Sequence, residues 1–365
     1  MYKEIITNRQ GIFIVSLFII GSFIIIGGGG EAKQDVWIAI LLSFFMAIPI
    51  YYVYSQLLRQ HPGKDLYDVA IETFGKIPGK IICLLSLWYS FHLGSLVIRN
   101  FSSFVNVVSF PETPPSLIIT FIGLFCIWMV KAGIEVLGRW TAFAFPIAMA
   151  IIIITAVFSL TKANFINLKP VLYDGIKPLL PVSFGIFSFP FAETVVLTTT
   201  FNSLKNTKKA FNVFFTGTLI GCIFMISISV RNVMVLGVSL NSDLYFPSYM
   251  AVRTLNIGDF IQRFEIVVAI IFILGGFVKI SICLLSAAKG LARVLNINNY
   301  RDIVSPVAFL MMAMANIIYS NIMEMFDWAQ KIYPYYAVPF QIIIPVLVMV
   351  SAKIKTAFAR RKRRG

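Results

Sequence analysis

Chemistry in this sequence has to come from a few ionisable and helix-breaking residues set inside long apolar runs. The stretch Gly185-Ile186-Phe187-Ser188-Phe189-Pro190-Phe191-Ala192-Glu193 brings a glycine, a proline and a carboxylate to the middle of one run. Lys279 stands at comparable depth in another, and Tyr89, His92 and Arg99 share one helical face in a third. These are not enzyme patterns. GxSxG, HExxH, P-loop and paired-carboxylate arrangements are absent, and the histidines are His92 and His61, the latter in a Pro62-Gly63 turn. Cys83, Cys126, Cys222 and Cys283 lie singly inside apolar runs, so packing is expected of them and no disulfide, metal site or cofactor. A charge at mid-bilayer is expensive unless paired or solvated. Glu193 and Lys279 are therefore expected to form an ion pair or share a hydrogen-bond network. The alternatives are that Lys279 takes the place of a bound cation, or that both charges snorkel separately to water.

The elements that position these groups follow from composition. Of 365 residues, 58% are hydrophobic and 13% charged, with a mean hydropathy of +0.85. A soluble domain needs about 25% charged residues to cover its surface. Continuous apolar runs rather than alternating ones exclude a β-barrel. Ten spans are read, at about 11–30, 36–58, 80–104, 116–133, 140–161, 179–200, 210–234, 262–288, 303–320 and 337–354. A signal peptide competes for the first run, because Lys3 and Arg9 precede it and Gly27 to Gly30 are small. With the N-terminus inside, inner connections hold 21 Lys and Arg residues and outer ones eight, Arg231, Arg253 and Arg263 among the latter. Both termini are thus expected in the cytoplasm. The net charge of +15 does not point to nucleic acid, since five bases stand together in the tail Arg360 to Arg364, beside a span, where they touch anionic lipid.

Two spans carry interruptions. Gly21-Ser22 lies at the middle of the first and Gly185 to Glu193 at the middle of the sixth. First and sixth of ten is the spacing of two inverted five-helix repeats, about 11–161 and 179–354 within a single transmembrane domain, with 355–365 a basic tail. A plain kink explains either break alone. Half-helix ends at the bilayer midplane suit a zwitterion, the N–H end taking a carboxylate and the carbonyl end an ammonium. The expected ligand-binding set is Gly21, Ser22, Phe23, Tyr89, His92, Gly185, Phe187, Ser188, Pro190 and Glu193. His92 either lines that cavity or bonds a neighbouring helix as a neutral imidazole. Arg99, about 10 Å further out, gates or anchors the outer interface. In the long outer connection at about 235–261, Pro247 opens a short helix bearing Tyr249 and Arg253, read as a lid or as an interfacial helix. Residues 64–80 read as an inner amphipathic helix.

Several segments resemble the B subunits of bacterial endospore germinant receptors, permease-like members of the amino acid–polyamine–organocation superfamily. They are Asp35-Val36-Trp37-Ile38, Phe74-Gly75-Lys76-Ile77-Pro78-Gly79-Lys80, Pro111-Glu112-Thr113-Pro114-Pro115, Gly133-Ile134-Glu135-Val136-Leu137-Gly138-Arg139, the Phe189-Pro190-Phe191-Ala192-Glu193 break, and Phe246 to Arg253 continuing to Ile257-Gly258-Asp259-Phe260. The resemblance implies an all-α, LeuT-like fold of ten transmembrane helices with helices 1 and 6 broken. It also implies the spore inner membrane, A and C partner subunits, and a small-molecule germinant, usually an amino acid. The chain departs from the pattern in span one. Phe23 stands where a second glycine is expected after Gly21, and Gly27 where proline is common, so Phe23 narrows the pocket. A germinant receptor, an amino acid permease and a gated water or ion conduit all use such a cavity.

Overall fold

In hydrocarbon every backbone amide needs an internal partner, and apart from one isolated pairing of Ile6 with Leu204 the described residues meet this with helix and turn. The computed structural model describes residues 4–26, 30–255 and 266–362. The expected features at Gly27 to Gly29, Ile257 to Phe260, Arg263 and the last two arginines of the tail lie outside the described residues. In chain order the helices are α1 (Asn8–Ile26), α2 (Val36–Gln60), α3 (Leu66–Phe74), α4 (Lys76–Val108), α5 (Pro115–Ala132), α6 (Ile134–Ser159), α7 (Leu179–Ile186) and α8 (Ala210–Leu236). They continue with α9 (Val238–Asp243), α10 (Pro247–Arg253), α11 (Ile266–Leu295), α12 (Val304–Ile317), α13 (Ile322–Asp327), α14 (Tyr333–Val338) and α15 (Ile344–Lys362). Eight helical segments among the described residues are long and apolar enough to cross a membrane. Against the expected ten, α1 is apolar over a shorter stretch, Asn8–Phe23, and α12 has only 14 residues.

The outside of the bundle is apolar, as Phe121, Phe125 and Trp128 on α5 illustrate at 56%, 62% and 63% exposure. Such a belt fits lipid and not water, so the protein is integral to the membrane and crosses it repeatedly. At the centre stands α11, packed against α1, α4, α5 and α6. Its apolar window is 78% buried and that of Leu179–Thr199 is 72%, against 33% for α5 and α6. The two segments that carry charge at mid-depth are thus the two most shielded from lipid.

Described residues near both ends, Glu4 and Lys355, lie on one face. Glu4 receives hydrogen bonds from Arg301 Nη2 at 2.5 Å and Tyr300 Oη at 3.0 Å. Lys355 Nζ donates to the Glu72 carbonyl at 2.5 Å. Connections 30–35, 164–178, 237–247 and 318–331 fall on the far face. The inner amphipathic helix expected over 64–80 is two helices, because Gly75 adopts φ 87 and ends α3 before α4 begins at Lys76. Asp65 and Asp68 form a capping box at the start of α3.

Two expectations are corrected. Regular helix runs through Gly21-Ser22-Phe23 to Ile26, so span one is not broken at Gly21-Ser22. The glycine serves close packing instead: a Cβ at Gly21 would run into the Gly275 backbone and lie 2.8 Å from Gly276 N. Arg231 belongs to α8 rather than to an outer connection and is only 4% exposed. Its guanidinium donates to Asn232 Oδ1 at 2.7 Å and Thr155 Oγ1 at 3.2 Å, neutral acceptors that let it stay inside.

Gly21→Ala is expected to lower stability by about 1–3 kcal/mol, because the helix backbones must separate. Gly185→Ala is expected to leave it unchanged, since nothing lies within 4 Å of the added Cβ. Thermal unfolding in detergent measures both, and equal shifts would contradict the close α1–α11 approach.

Candidate functional site

The sixth span is interrupted where its sequence demands. Pro190 has no amide hydrogen and displaces the preceding turn. Helix α7 gives way to one wide turn over Phe187–Phe191, with Phe189 at φ -131 and ψ 111, and resumes as tight 3-10 helix over Ala192–Thr199. The carbonyls around the break do not stay uncovered, contrary to the cup of free backbone groups expected for a solute. Gln341 Nε2 donates to Ser188 O at 2.8 Å, Tyr51 Oη to Phe191 O at 3.3 Å and Tyr54 Oη to Ala192 O at 3.2 Å. Side chains from α2 and from the Pro339–Ile343 turn therefore do what a ligand was expected to do.

Just past the break, Glu193 Oε2 forms an ion pair with Lys279 Nζ, and neither side chain has any exposed surface. Ser22 Oγ accepts from the same ammonium at 2.7 Å. The rings of Phe18 and Phe189 lie 4.8 and 5.0 Å from it, adding cation–π attraction on two sides. The other carboxylate oxygen accepts from Tyr333 Oη at 2.6 Å. Tyr333 Oη is 2.8 Å from Tyr89 Oη, whose oxygen accepts from Gln341 Nε2 at 2.8 Å. Ser188 Oγ donates to Gln341 Oε1 at 3.2 Å, which closes the network back onto the break.

Two cavities open from the far face beside this network. One, of about 350 Å³, is lined by Pro181, Phe184, Gly185, Phe189, Pro334 and Tyr335, with Glu31 and Lys331 at its edge. Phe189 is common to cavity and ion pair, so one aromatic ring separates them. The second cavity, of about 240 Å³, is polar, with Phe23, Asn232, Asp243, Ser248 and Asp327 in its wall. Gly30 and Gln330 line both.

The structure groups the residues singled out in the sequence unevenly. Ser22, Tyr89, Ser188, Glu193 and Lys279 meet in one network; Gly185 and Phe23 line cavities; Phe187 and Pro190 are buried at the break. Gly21 faces α11 instead. His92 sits among aromatic rings, stacked on Trp88 at 5.7 Å and edge-on to Tyr336 at 5.2 Å, and its Nδ1 has no partner among the described residues. Arg99 donates to Tyr319 O at 2.9 Å, tying α4 to the segment after α12. The short helix expected after Pro247 is present as α10, packed on α8, with Tyr249 6.2 Å from Phe104 and Arg253 exposed at its end. Sequence reading missed Tyr51, Tyr54, Tyr333 and Gln341. A polar Gln341 inside an apolar run was the available signal; the tyrosines, common in membrane proteins, carried none.

Lys279→Met strands a buried carboxylate and is expected to cost about 3–5 kcal/mol of stability. Adding Glu193→Gln removes the second charge and is expected to restore most of the loss, which a double-mutant cycle in thermal unfolding would read as strong coupling. Additive losses would mean that the two charges do not depend on one another.

The profile of a family described as spore germination protein matches residues 5–325. Spore germination protein KB of Bacillus subtilis is 25% identical over 370 residues, covering 100% of this chain and 99% of that one. Spore germination protein A2 of the same organism is 27% identical, over 74% of each chain. Among solved structures, the nucleobase-cation-symport-1 transporter Mhp1, in a closed conformation with bromovinylhydantoin bound, superposes with a TM-score of 0.68 at 15% identity, over 94% of this chain and 78% of that one. MhsT in complex with L-phenylalanine gives 0.67 at 14% identity, over 96% and 100%. The fold is that of LeuT-like transporters, and the chain, as its segments led one to expect, belongs to the spore germination protein family of permease-like membrane proteins.

Proposed function

We propose that the protein is the solute-binding membrane subunit of a spore germinant receptor and that its germinant is an amino acid. The observation that carries this reading is the far-face cavity of about 350 Å³ separated by the Phe189 ring from a fully buried Glu193–Lys279 pair. Such a volume takes one small zwitterion. The internal pair already holds one carboxylate and one ammonium. An amino acid bears the same two charges, so it can exchange partners with the pair once Phe189 swings aside: carboxylate to Lys279, ammonium to Glu193.

Exchange of partners supplies differential affinity, which a ligand needs in order to shift a conformational balance. Freed from each other, Glu193 and Lys279 loosen their links to α14 through Tyr333 and to α1 through Ser22. In this reading both termini lie in the cytoplasm, by the excess of basic residues on their face. The membrane is the spore inner membrane, and A and C subunits read the altered bundle. A permease is the second reading, favoured by a fold shared with a transporter solved in complex with L-phenylalanine.

Reconstituted protein titrated with labelled L-amino acids tests both. Saturable binding without uptake is expected of the receptor, and saturable uptake by the isolated subunit would favour the permease. Gly185→Leu fills the cavity without displacing backbone and is expected to weaken binding at least about tenfold, or 1.4 kcal/mol. Undiminished binding in that variant would move the site elsewhere.

A further inference from the structure

Below the ion pair, toward the face that carries both termini, lies a second cluster of buried hydroxyls that the solute site does not use. Ser286 Oγ is 2.8 Å from Ser90 Oγ, 2.7 Å from Thr199 Oγ1 and 3.1 Å from Tyr67 Oη. The Thr199 carbonyl accepts from Lys289 Nζ at 3.4 Å, and Lys289 also reaches Asn202 Oδ1 at 3.3 Å. Lys289 and Asn202 both line a cavity of about 620 Å³ on the terminal face, together with Glu4, Glu135 and Arg301. At its upper end the cluster meets a pocket of about 10 Å³, lined by Tyr89, Ser90, Thr199 and Phe340. That volume is close to what one water molecule requires.

The hydrogen bonds above this pocket have a fixed direction. Tyr333 commits its single hydroxyl hydrogen to Glu193 Oε1. The 2.8 Å contact between the two phenols must then be donated by Tyr89, whose oxygen is left to accept from Gln341 and from a water beneath. Every hydroxyl in that stretch points its proton toward Glu193.

We propose that these groups form a proton route joining the buried Glu193–Lys279 pair to the cavity on the terminal face. One proton enters from the side of that cavity, where Lys289 holds the Thr199 carbonyl, and passes through the Thr199, Ser286 and Ser90 hydroxyls to the single water. Tyr89 takes a proton from this water as it gives its own to Tyr333, and Tyr333 delivers its own to Glu193 Oε1. The net result is a neutral Glu193 beside a charged Lys279, with one proton fewer at the terminal face; the reverse passage restores the pair. The titratable groups facing Glu193 are Lys279 and Cys283 on α11 and Tyr333 on α14, with Tyr89 on α4 behind it. Phe189 shuts the pair off from the far-face cavity, so exchange is one-sided. This route stands whether or not the solute is an amino acid.

Infrared difference spectroscopy on the full chain in lipid nanodiscs, after a rapid pH drop, tests it without any solute. A carboxylic C=O band is expected to grow in the wild type, to be absent in Glu193→Gln, and to grow at least about tenfold more slowly in Thr199→Val and Ser286→Ala. Ser90→Ala replaces either variant if that one does not fold. A band insensitive to the hydroxyl replacements, or no Glu193-dependent band in the wild type, overturns the route.

Discussion

Two opposite charges held where no water reaches them set the terms for everything around them. Glu193 and Lys279 are both wholly buried, and removing such charges from water costs far more than a bare contact returns unless every remaining donor and acceptor is occupied. The surroundings meet that demand one group at a time. Ser22 serves the ammonium, Tyr333 the carboxylate, and two phenyl rings close off the cation. These come from α1, from the broken span and its preceding turn, and from α14, which explains why α11 has to stand at the centre with the broken span against it. A plain apolar bundle would be at least as stable, so the retained pair points to use rather than to strength.

The broken span creates a second debt of unsatisfied carbonyls, and the way it is met ties distant parts of the chain together. Tyr51, Tyr54 and Gln341 reach carbonyls on both sides of Pro190, Tyr54 sharing its one hydroxyl hydrogen with the nearer Gln341 carbonyl at 2.6 Å. The break is therefore clamped between α2 and the turn before α15. Movement of Phe189 cannot be local, because the same stretch carries these bonds. In the receptor reading proposed above, a displacement of this stretch would reach elements that extend to the terminal face. Arg231 shows the same economy elsewhere, its charge kept inside by Asn232, Thr155 and the Ser248 carbonyl.

Much of the fold was legible because lipid permits so few solutions. Apolar runs, Gly and Pro punctuation and the side preference of basic residues located most spans, and the Pro190 break was read correctly because proline lacks a donor wherever it sits. The cost of an isolated buried charge suggested a Glu193–Lys279 pair beside two alternatives, and the structure shows the pair. Gly21 was misread, since glycine signals equally a loosened helix and a close helix contact; the difference lies in Gly275 and Gly276, more than 250 residues later. The tyrosines of the network gave no local signal because phenols are at home in membrane helices whether or not they bond.

By itself the sequence determined that this is a polytopic membrane protein and where its sixth span is interrupted, and it offered the pairing of Glu193 with Lys279 beside two alternatives. Those conclusions rest on backbone chemistry and desolvation, which act at the position of the residue itself. Only the tertiary structure decided which groups answer the open carbonyls, that α1 stays helical past Gly21, and that Phe189 stands between a cavity and the ion pair. Each of these depends on what lies a few ångströms away across another helix, and the approach of one helix to another is the sum of many weak contacts with no single residue to announce it.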